Sequence, residues 1–253
     1  MFAHGFGTDQ KMWRLVAPAF EPHYRVIRFD YVGSGGADRR AQSDARYTSL
    51  AGYAQDLLEI CAALELKEVV LVAHSVSGMI GMLASLEAPE LFERMVLVAP
   101  SARYLNDAPN YVGGFDIEEV QGFLDMMDQN FLGWADTFSG IAEKNPETSK
   151  QLFDAISTND PRTARRFAEV TFHADVRAEL PRVSVPCLLL QCEDDAIVPL
   201  VAGEYLRDHL PGCVYHVLPV AGHCPQISAP ELIISEIRDF LARPRSISPA
   251  PLP

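Results

Sequence analysis

Val69-Val70-Leu71-Val72-Ala73 is an unbroken apolar run dominated by β-branched residues, and it ends at His74-Ser75-Val76-Ser77-Gly78. A run of this kind suits a strand buried on both faces. A helical stretch follows at once, and strand-to-helix steps of this sort build parallel sheets. Ser75 sits at the step. A turn that sharp pushes a serine hydroxyl out past the end of the sheet, usually within Gly-x-Ser-x-Gly. Here the outer positions are Ala73 and Ser77. Both are small, so the turn can still close.

The same alternation continues along the chain. Strands are expected at 24–29, 95–99, 183–192 and 214–218, and helices at 49–66, 201–209 and 230–242. The pattern predicts an α/β fold with a mostly parallel, doubly wound sheet. It breaks between residues 107 and 175. Four helices are expected there in succession, at 117–131, 133–142, 149–157 and 161–172, the last opened by Asp160-Pro161. The expected division is therefore a core of 1–106 and 176–243 around an inserted helical segment, 107–175.

A serine nucleophile needs a base, and the base needs an orienting carboxylate. Behind such a turn the chain order is serine, acid, histidine. The run ending at Cys192 leads into Glu193-Asp194-Asp195, and the run ending at Leu218 leads toward Gly222-His223-Cys224-Pro225. Both sets stand at strand ends, where parallel sheets place their ligands. Residue chemistry alone leaves Asp194 and Asp195 open. A third loop, His4-Gly5-Phe6-Gly7, supplies the remaining part. Its Phe6 N–H, with the N–H of Val76 after the serine, is expected to bind an oxyanion. The apolar face of the inserted helices carries Phe123, Trp134, Phe138, Ile141 and Phe172. Together they are expected to roof a substrate pocket over Ser75, with Phe6, His74 and Tyr104 as walls below.

With these residues in view, the chain resembles the α/β-hydrolases of the RsbQ group, the bacterial stress-signalling hydrolases. It is also similar to the plant strigolactone and karrikin receptor hydrolases. The matching stretches are His4 to Gln10, Phe29 to Gly35, His74 to Ser77, Tyr104 to Asp107, Gly113 to Phe115 and Gly222 to Pro225. The resemblance implies a four-helix, V-shaped lid. It implies the triad Ser75, Asp195 and His223, and so selects Asp195 over Asp194. Cys224 becomes a neighbour of the base rather than a nucleophile. The resemblance also implies two antiparallel strands and most of a third ahead of Met1-Phe2-Ala3. The N-terminal strands are therefore expected to be missing here, and the natural chain to start upstream.

The net charge of −13 argues against nucleic acid or an anionic membrane as partner. No apolar run is long enough to span a bilayer. Five cysteines without a metal-ligand spacing read as reduced thiols of a cytoplasmic protein. Residues 244–253, rich in proline, are expected to form a disordered tail. The expected activity is hydrolysis of a small, mostly apolar ester or lactone, with no metal and no organic cofactor. Two alternatives stand beside it. One is a ligand sensor that uses a slow hydrolase site and acts on a signalling protein partner. The other is a non-hydrolytic relative such as a carbon–carbon lyase.

Overall fold

Five parallel strands stand side by side in chain order in a computed structural model that describes residues 1–244. They are β1 (Phe2–Ala3), β2 (Val69–His74), β3 (Phe92–Val98), β4 (Cys187–Asp194) and β5 (Val214–Ala221). The side-chain period of two sends alternate residues to opposite faces. Leu71, Ala73, Met95, Leu97 and Leu189 enter one core. Val72, Val96, Val98, Leu188, Leu190 and Leu218 enter the other. Both faces are therefore dry, and this is why the strands read as continuous apolar runs.

Helices cover the two faces. On the first lie α1 (Leu50–Ala63), capped by Ser49, and α2 (Val76–Glu87). Leu71 is fully buried beneath α2, close enough that a Cβ at Gly81 would meet its side chain at 2.5 Å. Leu71→Ala would remove about 2–5 kcal/mol. On the second face, Ile233, Ile234, Ile237 and Phe240 of α9 (Pro230–Ala242) pack with Trp13 and Phe20. The helix α7 (Leu200–His209) lies between β4 and β5 in the chain, and the short α8 (Pro225–Ser228) follows β5.

Between β3 and β4 come α3 (Ile117–Gln129), α4 (Phe131–Ala142), α5 (Pro146–Ser157) and α6 (Pro161–His173), with no strand among them. Their starts are well specified. Asp116 and Glu119 form a capping box on α3, and Asn145 and Asp160 cap α5 and α6 ahead of a proline. In the packing α3 meets α4 and α6, and α4 meets α5.

One expected strand does not form. Residues 24–29 make a single bridge, Arg28 to Phe2, with the Phe2 N–H donating to Ile27 at 2.8 Å. A strand needs a ladder partner, and β1 offers only two residues. The expected tail lies outside the described residues beyond Pro244. No described helix is long and apolar enough to cross a membrane.

Candidate active site

Ser75 is the hinge between β2 and α2. Its backbone stands at φ 56°, ψ −126°, a region L-residues seldom occupy. Such a residue costs about 1–3 kcal/mol and persists only where its surroundings over-determine it. Here the Ser75 N–H donates to the Val98 carbonyl at 2.9 Å. Two residues on, the Ser77 hydroxyl donates to the His4 carbonyl and accepts from the Tyr31 hydroxyl. A serine where glycine is usual thus ties the turn to the neighbouring loop. Gly5 permits the close approach, since a Cβ there would sit 2.5 Å from His74 Nδ1.

The other two loops converge on the hydroxyl. His223 Nε2 lies 2.8 Å from Ser75 Oγ, and His223 Nδ1 lies 2.8 Å from Asp195 Oδ2. Asp195 Oδ1 accepts the N–H groups of Ile197 and Val198 at 2.8 and 3.1 Å. With that carboxylate aimed at it, Nδ1 donates, and Nε2 is left to accept the serine proton. Asp194 points the other way. It is half-exposed and pairs with Lys144. A register shift in the β4–β5 ladder between Cys192 and Asp194 accompanies this choice. Gly222, at φ +107°, turns the second loop, and its N–H donates to the Asp194 carbonyl.

The third loop presents amides. Neither Phe6 N–H nor Val76 N–H has an acceptor among the described residues. Val76 opens α2, where a helix leaves its first N–H groups unpaired. Beneath Phe6, His4 accepts the Tyr31 N–H at Nε2 and donates from Nδ1 to the Gly5 carbonyl. His74 donates from Nε2 to the His223 carbonyl at 2.8 Å. Burial, with the adjacent His223 ring, pushes His74 down to about 3. It stays a neutral strut.

Over the serine lies a chamber of about 20 Å³. That is room for about one water, against the several hundred Å³ of ordinary ligand sites. Phe6, His74, Tyr104, Phe138 and Phe172 line it. The Tyr104 hydroxyl sits 3.0 Å from Ser75 Oγ, and burial pushes its phenol above the usual range, so it remains a donor. Larger grooves elsewhere hold none of the three converging side chains.

Three expected pocket residues are not in the wall. Trp134 is buried but stands behind it, packed on Phe6 at 5.9 Å and stacked on Phe138 at 5.3 Å. Phe123 sits a layer further out, edge-on to Phe115 and Phe138. Ile141 faces outward at 36% exposure. The buried stripe of α4 runs through Trp134, Ala135, Phe138, Ser139 and Ala142, and Ile141 falls off its edge. Thr8, Leu152, Thr171 and Ile197 line the chamber without having been expected. Leu152 and Thr171 lie on the buried faces of α5 and α6, but helical spacing does not separate a wall residue from a helix–helix contact.

Chemically, the arrangement has the geometry to pass a proton from a serine to an imidazole beside two unpaired amides. Among the described residues no group of three His, Cys, Asp or Glu is arranged to hold a metal ion.

A family model described as the alpha/beta hydrolase fold matches residues 1–230. A probable esterase of Oryza sativa subsp. japonica is 39% identical over 92% of this chain and 88% of its own length. A strigolactone esterase of Arabidopsis thaliana is 36% identical over 95% and 91%. The solved structure of a hydrolase from Oleispira antarctica superposes with a TM-score of 0.93 at 35% identity, covering 96% of this chain and 90% of that one.

Proposed function

The chain belongs to the α/β-hydrolase family and is a serine hydrolase of the esterase or lactonase type; on that premise we propose a mechanism and a substrate class. Ser75 is the nucleophile, His223 the general base and Asp195 the group that orients it. His223 takes the Ser75 proton as Oγ attacks the carbonyl of a small, mostly apolar ester or lactone. Asp195 stabilises the imidazolium. The Phe6 and Val76 amides receive the oxyanion, a contribution of about 3–4 kcal/mol for each donor in comparable sites. His223 then returns its proton to the leaving alkoxide. Water attacks the acyl-serine by the same route in reverse.

The observation that carries this reading is the unbroken hydrogen-bond chain Asp195–His223–Ser75, with 2.8 Å at each link. The apolar substrate class is supported by a chamber whose lining includes no Arg, Lys, Asp or Glu among the described residues. Residues 107–175 act as a lid over the 1–106 and 176–243 core. Five free cysteines support a reducing compartment, the cytoplasm.

Ser75→Ala is expected to abolish p-nitrophenyl acetate hydrolysis and labelling by a fluorophosphonate. A Ser75→Ala protein that still turns over, or wild-type label found on another serine, would overturn the assignment.

A second reading, a ligand sensor that reports to a protein partner, is favoured by how little room the chamber leaves for a ligand unless the roof moves. A site that shuts on its ligand couples chemistry to the position of α3–α6. Turnover far below the ~10 s⁻¹ typical of enzymes on every small ester tested would favour the sensor, and ordinary turnover would favour the metabolic enzyme.

A further inference from the structure

Three consecutive residues at the end of α4 reach both loops of the site. The Ala142 carbonyl accepts the His223 N–H at 2.9 Å. Glu143 Oε1 accepts the Cys224 N–H at 2.6 Å. Lys144 pairs with Asp194, the neighbour of Asp195. The first contact is available to any residue type, and the third is half-exposed and so contributes little.

Glu143 is different. It is 2% exposed, and its Oε2 has no hydrogen-bond partner among the described residues. A carboxyl buried with one oxygen unmatched is costly, and an apolar side chain would fill the space without that cost. Burial pushes it above the usual carboxylate range, against the pull of the Cys224 amide and thiol and of His223. Asp195 adds repulsion. The loop is shaped around the group. A Cβ at Gly222 would come within 2.5 Å of Oε2. Helix packing does not call for an acid here, whereas the peptide after His223 has its N–H satisfied by one.

We propose that Glu143 is a positioning residue: by holding the Cys224 amide it fixes the turn that carries His223 and keeps the imidazole in line between Asp195 and Ser75. It does not touch Ser75 and does not itself line the chamber; it reaches the site through Cys224, which does. His223 is thereby held from both sides, through its own N–H by Ala142 and through the next N–H by Glu143. A reacting group displaced by about 1 Å can lose up to ~10²-fold in rate, so this turn is where a small slip has a large effect. The inference rests on the triad reading above.

The test compares Glu143→Gln, Glu143→Asp and Glu143→Val with wild type on p-nitrophenyl acetate. Rates are expressed per Ser75 titrated with fluorophosphonate. Gln keeps an acceptor at the same reach. Asp keeps the charge but falls one methylene short, and Val removes both. The expected result is a kcat loss of about tenfold or more for Asp and Val at nearly constant KM, within the range a displaced base produces. Gln is expected to stay within about threefold of wild type on the same grounds. If Val does not fold, the Asp and Gln pair carries the comparison. Wild-type kcat in Asp, or equal losses in Gln and Asp, would overturn the proposal. Failure of wild type to label at Ser75 would instead overturn the triad on which it rests.

Discussion

The loops after β2, β4 and β5 and the inner faces of α4 and α6 meet across one small chamber, yet different forces hold them. Ser75, Asp195 and His223 are set by backbone: a strained φ, a ladder shift, amides closed onto a carboxylate and a glycine turn. Phe138 and Phe172 are set by side chains alone. Phe6 stands at the centre of an edge-on cluster with Trp134, Phe138, Phe167 and Phe172, at ring distances of 5.8–6.2 Å. Aromatic edges slide over one another at little cost, whereas hydrogen-bonded turns either form or do not. The first region is built for an all-or-none property, the second for a graded one. Substitutions should therefore give large, discrete losses among the loops and small, continuous shifts in the roof.

The largest difference is expected inside the loops. Asp195→Asn should lower kcat by about 10⁴, the loss seen when a triad imidazole is left in the wrong tautomer. Asp194→Asn, one residue away and half-exposed, should stay within a few-fold, as for any exposed ion pair. Steady-state rates on one ester settle it, and equal losses would erase the distinction. Next comes the layer behind the roof. Trp134→Ala should cost about 3–5 kcal/mol in a denaturant titration while leaving the ranking of acyl chains unchanged. A reordered ranking would put Trp134 back in the wall.

The third effect concerns acid. Folded His74 stays neutral down to about 3, whereas the unfolded chain protonates it near 6.5. Between these values the unfolded state binds more protons, so stability rises with pH and is lost as pH falls. The expected loss is about 2 kcal/mol between pH 6.5 and 5. His74→Gln should flatten that slope by about one proton. His4, also lowered by burial, retains its own share. Melting temperature against pH for the two proteins checks this, and identical slopes would refute it. The smallest effect lies in the roof itself. Phe138→Ala should shift preference among acetate, butyrate and octanoate esters by a few-fold per carbon, since a buried methylene contributes about 0.8 kcal/mol. Parallel loss on all three would make Phe138 packing rather than wall.

The two regions also differ in how far they could be read from residues. Val69 to Ala73 and Cys187 to Cys192 announce central strands because both sheet faces are buried. The Asp160-Pro161 start of α6 is legible because a cap and a fixed φ are local properties. Asp194 and Asp195 are chemically identical neighbours, and the choice of which one faces His223 goes with a ladder irregularity that no local pattern encodes. Helical spacing puts Ile141 inward, yet it faces out, because the phase of a helix is set by whatever it packs against. Glu143 carried no signal at all. A single acid after a helix reads as a solvated end until the fold places it beside Cys224.

The chamber above Ser75 has a kinetic corollary. A site that keeps no ligand-sized void must open one at each encounter, so ligand competes with the roof's own aromatic contacts. Apparent affinity then equals the intrinsic affinity multiplied by the fraction of time the roof stands open: if that fraction is about 1%, binding weakens about 100-fold. Changes that loosen the Phe6 cluster would tighten binding without adding a contact, and changes that stiffen it would keep water from the proposed acyl-serine. How long a ligand stays is thus governed from the roof, while what happens to it is governed from the loops.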